Sequence, residues 1–501
     1  MADCLSRLPE TAVADRPVKS CLHEYPTLKH PVRIRSLWLI FIVAFLSACT
    51  NGPQPATVTP TSPAAATHAV AKTPTTGPTD EPALGVFPSA LRGTQVTLWH
   101  FLTGDAQKTL DQQVIQFNVH NPWGIVAQTR GFMSSGDLIA ALQSPGSATA
   151  TPDLIMAFPE QIQSLAGGDL QPVDLQPYVE DPDLGFTGQE IADFPKAFWE
   201  QGLDGKQLLS LPALRDGWML FYNSSWARDL GFHSPPTTPA EFQQQACAAA
   251  KANSTAPSPT IRGTGGWIVS TDPVTDAAWI EAFGGSVLPA SDGSYDFNTS
   301  EIRSAFSFLK GLWDAGCAWR ARDPSPYQYF ANREALFYAG SLQDIQPQAQ
   351  AMADSASQDT WTVLAFPSKS GKPVLMVNGP SLAVLSSTPA RQLAAWLLTR
   401  WLMDASLQAD LARTVVAYPV RDSAIQKMQD YRTRWPQWGT AMELLVYARF
   451  TPPESSWMTA RNVLEDASTQ IYDAATQADQ IPTIVEQLDQ MVREVLQHAA
   501  P

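Results

Sequence analysis

The side chains able to do chemistry in this 501-residue chain are five cysteines, seven histidines, 48 carboxylates and 16 tryptophans. The histidines are scattered, and no Cys/His spacing matches a zinc site. No G-x-S-x-G elbow, H-E-x-x-H pair or phosphate-binding P-loop occurs. Two carboxylates flanking a glycosidic bond can hydrolyse it, and an acidic chain always holds candidate pairs, so an exported glycosidase stays open. The other chemistry within reach is recognition without reaction. Sugars present hydroxyl rims and flat C–H patches, which suit planar polar groups and aromatic faces respectively. Most tryptophans belong to cores, so only position can nominate the few that touch a ligand.

Cys49 has a distinctive setting. Arg33 and Arg35 lead into an uncharged run from Leu37 to Ala48. Twelve residues are too few for a spanning helix, which needs about 20, but they fit the apolar part of an export signal. Leu46, Ser47, Ala48 and Cys49 resemble the lipobox of bacterial lipoproteins. That resemblance implies cleavage before Cys49 and acylation of its sulfur and new amino group, with residues 1–48 as signal peptide. More than one acyl chain makes a stable anchor. An uncleaved anchor is the alternative. Some thirty residues precede the basic flank, and translation from a non-Met start near Leu28 or Val32 would shorten that leader.

Removing the six basic and four acidic residues of 1–48 leaves 27 against 44, a net charge of −17. Such a surface repels nucleic acid. Residues 49–92 are Thr-, Pro- and Ala-rich after the cysteine and read as a disordered spacer. The remaining length exceeds one core and predicts two lobes. Cys247 and Cys317 either pair, as an oxidising compartment allows, or stay as two buried thiols.

Behind these side chains, strand and helix patterns alternate. Residues 94–101, 124–129 and 153–158 read as strands, and the stretches from Asp105 and over 135–144 as helices. This predicts an α/β fold built on a parallel sheet, with ligand outside the carboxyl ends of its strands. Thr238, Pro239 and Glu241 form a helix start; Asn298 and Glu301 flank another, which Gly316 stops; residues 388–402 make a third. No internal repeat is present.

The order of several blocks resembles family 1 extracellular solute-binding proteins of bacterial ABC importers, the maltose-binding-protein-like group. "LPALRDGWMLFYNSSWARDLGFHSPPTTPAEF", "FANREALFYAG", "WTVLAFPSKSG", the segment from "MVNGPSLAVL" to "YPVRDSA" and "PPESSWMTARNVLEDA" carry the likeness from about Thr94 onward. It implies a two-lobed periplasmic-binding-protein-like fold with a ligand cleft and several crossovers. Lobe 1 is expected at 93–212 and 374–425, lobe 2 at 217–373 and 426–501.

The resemblance nominates cleft residues. Trp457 matches a ligand-stacking tryptophan. Trp99, His100 and Thr103 follow the first strand, and Phe158 and Glu160 the third. Arg215 and Asp216 sit at the crossover, as ligand contacts or as a hinge pair. Asp272 and Asp276 precede "WIEAFGG", and Gly340 and Ser341 stand where backbone approaches ligand. Leu342 and Val274 replace aromatics of the maltodextrin-binding relatives, which argues against a linear maltodextrin. The implied protein is a monomer without cofactor or metal. The resemblance implies that it binds a small polar solute, with a sugar or oligosaccharide as the expected class, and hands it to membrane permease subunits from a lipid anchor at Cys49. The rival readings are the glycosidase and a ligand sensor without transport.

Overall fold

The computed structural model describes residues 84–144 and 151–499. The expected signal peptide, the lipobox with Cys49 and the spacer up to residue 83 lie outside the described residues. The spacer's expected end does not hold. A short helix spans Pro88–Leu91, and Val86 and Leu91 are buried in the core. These two side chains supply the apolar bulk that the preceding stretch lacks.

Fourteen strands occur among the described residues: β1 (Gln95–His100), β2 (Val126–Gly131), β3 (Leu154–Ala157), β4 (Leu203–Asp204), β5 (Gln207–Leu208), β6 (Leu211–Pro212), β7 (Asp216–Tyr222), β8 (Trp267–Ile268), β9 (Ala318–Trp319), β10 (Phe337–Ser341), β11 (Thr362–Leu364), β12 (Leu375–Asn378), β13 (Ser381–Val384) and β14 (Ala448–Phe450). The first sheet runs β2-β1-β3-β13-β6, the second β14-β12-β7-β10-β8-β9 with β11 also on β7; β4 and β5 form a hairpin. The first sheet is mixed rather than parallel. Its β1, β2 and β3 are parallel, but β13 runs antiparallel to both β3 and β6. The reversal follows from connectivity, because β13 re-enters this lobe from the second sheet instead of through a covering helix.

Local signals place the helices. Gly104–His120 buries Leu110, Val114 and Phe117 on one stripe. Pro239–Ser254 starts with the expected reciprocal capping of Thr238 and Glu241. The cap of Ser300–Asp314 is Thr299, not Asn298, whose side chain is held by Arg303 instead. Cys247 on the helix Pro239–Ser254 and Cys317 beside β9 form a disulfide, their Cα atoms 4.4 Å apart.

Three segments join the lobes, and Arg215 fastens them together. The chain leaves β6 through Ala213–Arg215 into β7. It returns from β12 to β13 through Gly379–Pro380, so β12, expected in the first lobe, belongs to the second sheet. A third segment carries Tyr418, which exchanges backbone bonds with Arg215 at 2.7 and 3.3 Å. The Arg215 side chain is fully buried. Its Nη1 donates to the carbonyls of Leu214, Gly379 and Pro380 at 2.8–3.2 Å, and Nη2 to Ser381 Oγ at 3.0 Å and Phe198 O at 3.4 Å. Burial lowers its pKa to about 9, opposed by the Glu160 carboxylate, so it stays charged at neutral pH. Two close approaches depend on glycine here. A Cβ at Gly379 would meet Leu214 O at 2.4 Å, and one at Gly217 would meet the Tyr418 ring at 2.5 Å.

Arg215→Met would leave several buried carbonyls without a donor, each costing about 1–3 kcal/mol. Urea unfolding is expected to show a loss of roughly 3 kcal/mol or more, with Gly379→Ala also clearly destabilising. A midpoint within error of the parent for Arg215→Met would show that the guanidinium does not hold the crossovers.

Candidate functional site

The carboxyl ends of β1 and β3 form the rim of the first lobe. Phe101 and Phe158, one residue past each strand, stack with centroids 5.7 Å apart and planes 21° from parallel. Both are half-buried, and Thr103 beside them is exposed. The helix Pro159–Gln163 follows and carries Glu160, only 5% exposed.

Directly opposite stands the second lobe's helix Trp457–Ile471. Arg461 Nη1 reaches Glu160 Oε1 at 3.4 Å, and the Ser455 amide donates to Gln163 Oε1 at 2.6 Å. Burial raises the Glu160 pKa, while the charges of Arg461 and Arg215 pull it back. Arg461 also opposes the burial that raises the pKa of Asp272, which caps the helix Pro273–Ala282 through Val274 N at 2.8 Å. One guanidinium thus serves carboxylates from both lobes. Beside it lies a crevice of about 10 Å³, lined by the first-lobe residues Pro159, Gln163 and Gln201 and by Pro453, no more than one water-sized site. Trp218, half-buried on β7, donates from Nε1 to Thr275 Oγ1 at 2.7 Å, one turn from Asp272.

The expected residues divide. Glu160 and Asp272 both face Arg461, and Thr103 and Phe158 lie at the first lobe's rim. Trp99 does not: it is 2% exposed beneath Phe132 and Arg130. His100 is fully buried, its Nδ1 accepting from Leu102 N at 3.2 Å, and burial lowers its pKa. Arg215 is the crossover fastener. Asp216 accepts from the amides of Gly217 and Leu342 at 2.8 and 2.9 Å and from Gln343 Nε2 at 3.1 Å; burial pushes its pKa up to about 6. It therefore ties β7 to the turn after β10. Gly340 leaves room for Asp344, whose Oδ2 would lie 2.6 Å from an added Cβ, and Ser341 Oγ accepts from Gln343 N within that turn. Trp457 is 2% exposed inside the second lobe's core. Asp276 is also internal, with Oδ1 bonded to Ser468 Oγ at 2.9 Å and Oδ2 without a partner among the described residues.

Sequence reading missed Phe101, Gln163, Trp218 and Arg461. Helical spacing could have found two of them. Arg461 lies one turn beyond Trp457, and Gln163 three residues beyond Glu160. Among the described residues no cluster of side chains could hold a metal ion, and no helix is long and apolar enough to cross a membrane.

A family model described as bacterial extracellular solute-binding protein matches residues 114–438. A search of curated proteins returns no match. Solved structures share the architecture at low identity. The sugar-binding protein MalE from Xanthomonas citri superposes with a TM-score of 0.69 at 19% identity, over 81% of this chain and 98% of that one. The cyclic alpha-maltosyl-1,6-maltose binding protein from Arthrobacter globiformis gives 0.67 at 17%, over 80% and 99%. UgpB from Mycobacterium tuberculosis, in complex with glycerophosphocholine, gives 0.63 at 14%, over 81% and 99%.

Burial raises the Asp276 pKa well above 3.8, and the nearby carboxylates Asp272 and Glu465 add to the shift. A carboxyl with a raised folded pKa favours the fold below its unfolded pKa, and that contribution is lost as pH rises through the folded value. Asp276→Asn should therefore raise the melting temperature more at pH 8 than at pH 4. Equal effects at both pH values would show that Asp276 does not change its charge on folding.

Proposed function

The chain belongs to the bacterial extracellular solute-binding protein family, and we propose from that premise that it captures a sugar or oligosaccharide between its lobes and delivers it to the permease of an ABC importer. The observation that carries this reading is the pairing of Glu160 with Arg461 across the lobes, flanked by Gln163, Asp272 and the Phe101–Phe158 stack. Carboxylate, guanidinium and amide groups suit hydroxyl rims because they are planar and bond in pairs. The phenylalanine faces suit C–H patches. Neither Trp99 nor Trp457 offers its face in this conformation, so stacking falls to Phe101, Phe158 and Trp218.

A ligand entering the seam displaces the Glu160–Arg461 contact and replaces it with its own bonds to both partners. Closure is favoured only by as much as ligand prefers the shut form. A micromolar Kd corresponds to about −8 kcal/mol, which several hydrogen bonds and two or three stacked rings can supply after ordering costs. The mixed acidic lining, like the chain's net charge, favours a neutral solute over a phosphate ester. Export through residues 1–48 and acylation at Cys49 would hold this receptor outside the cytoplasm on a membrane lipid anchor. Cys49→Ser should then release the protein into the soluble fraction; persistence at the membrane would contradict the anchor.

Thermal-shift screening against neutral sugars tests the reading. Ligand at a hundred times Kd adds about 2.7 kcal/mol, and Arg461→Ala should weaken the same ligand at least tenfold. Millimolar sugars that never raise the melting temperature, while a polyamine or phosphate ester does, would overturn the substrate class.

A further inference from the structure

A second cavity, of about 790 Å³, opens at the far edge of the second sheet, lined by Arg262, Trp313, Trp319, Arg320, Arg322 and Tyr329 among others. β9 forms this edge, whereas β14 at the opposite edge adjoins the first-lobe helix Lys196–Glu200. The cavity is therefore separate from the seam at Glu160 and Arg461.

Its charge is not explained by folding. The chain carries a formal net charge of −15, yet three guanidiniums converge here. Arg320 and Arg322 are exposed and make no hydrogen bond or ion pair among the described residues. Among the described residues Arg262 uses only Nε, on Ala256 O at 3.1 Å. Two carboxylates share the lining, Asp323 and Glu334. Asp323 accepts from the Tyr329 hydroxyl at 3.1 Å, and burial raises the Glu334 pKa. Three guanidiniums against two carboxylates leave positive charge in excess at the mouth.

The aromatic floor is fixed in place. Trp319 Nε1 donates to Gly265 O at 2.8 Å, and its ring meets Tyr329 edge-on at 5.2 Å and 88°. Two residues before Trp319, Cys317 is bonded to Cys247, which ties the strand to the helix Pro239–Ser254. Rings held this way lose little freedom on binding.

We propose that this cavity binds an anionic saccharide, a sugar chain bearing carboxylate or phosphate groups. Guanidinium forks take such groups in bidentate fashion. The indole and phenol faces take the C–H side of a ring. The volume is that of a small-molecule site and fits an oligosaccharide of a few units. A long polyanion such as nucleic acid would extend over the acidic remainder of the surface and be repelled.

Calorimetric titration of the whole protein with trigalacturonate, glucose 6-phosphate and maltotriose tests this, at low and high salt. The expected result is saturable binding of at least one of the two charged sugars, weakened by salt and not displaced by maltotriose. The two charged probes separate carboxylate from phosphate recognition. Arg320→Glu/Arg322→Glu should weaken that binding at least tenfold, and the milder Arg320→Gln/Arg322→Gln should follow in direction. Arg461→Ala should leave it unchanged, which separates this site from the interlobe seam. Failure of both charged sugars to bind, equal affinity in both arginine variants, loss of binding in Arg461→Ala, or inorganic phosphate competing as well as the sugar that binds would overturn the proposal.

Discussion

A single buried guanidinium sets the mechanics of this molecule. Arg215 is fully enclosed, has no carboxylate in contact among the described residues, and spends its Nη1 and Nη2 donors on four backbone carbonyls and one hydroxyl drawn from several segments, while Nε finds no partner among them. Burying a charge is costly unless hydrogen bonds replace its water. Here the replacement comes from chain that must cross between lobes. Tyr418 completes the arrangement by lying against Gly217 and exchanging backbone bonds with Arg215. The crossovers are thus held together at one point, while the lobes on either side keep separate sheets. A rotation of one lobe against the other can then be taken up at a few residues near that point.

The seam between the lobes is polar, and its bonds are of the reversible kind. Arg461 is about two-fifths exposed while its partner Glu160 is enclosed. Partly exposed ion pairs contribute little net stability, so the contact is suited to being exchanged for ligand rather than to locking the protein shut. The half-buried rings of Phe101, Phe158 and Trp218 add apolar contact without closing the seam by themselves.

What could be read from sequence was mostly local. The Thr238–Glu241 capping and the Leu110, Val114, Phe117 stripe depend on neighbours within one or two turns, and they appear as expected. The two-lobed fold was legible through the order of blocks rather than from any one block. Several assignments that depend on distant partners differ from the structure. β12 looks like any short apolar strand, and only its pairing with β7 places it in the second sheet. Trp99 and Trp457 stand beside the cleft in sequence, but Phe132 with Arg130 covers one and the second core encloses the other. Asp276 shares a helix with the cap residue Asp272 yet faces inward, toward Ser468. The side chain that bridges the lobes, Arg461, was overlooked because a lone arginine on an amphipathic helix reads as solvated surface.

The central claim is that the lobes hinge about the Arg215 junction and shut on a small polar solute. Small-angle X-ray scattering with and without a sugar that raises the melting temperature tests it most directly. At a sugar concentration that just saturates the parent, a changed radius of gyration on binding, and a smaller change at the same concentration in a variant lacking the Arg461 side chain, is the predicted result. Identical scattering curves for free and saturated protein would contradict closure about this junction.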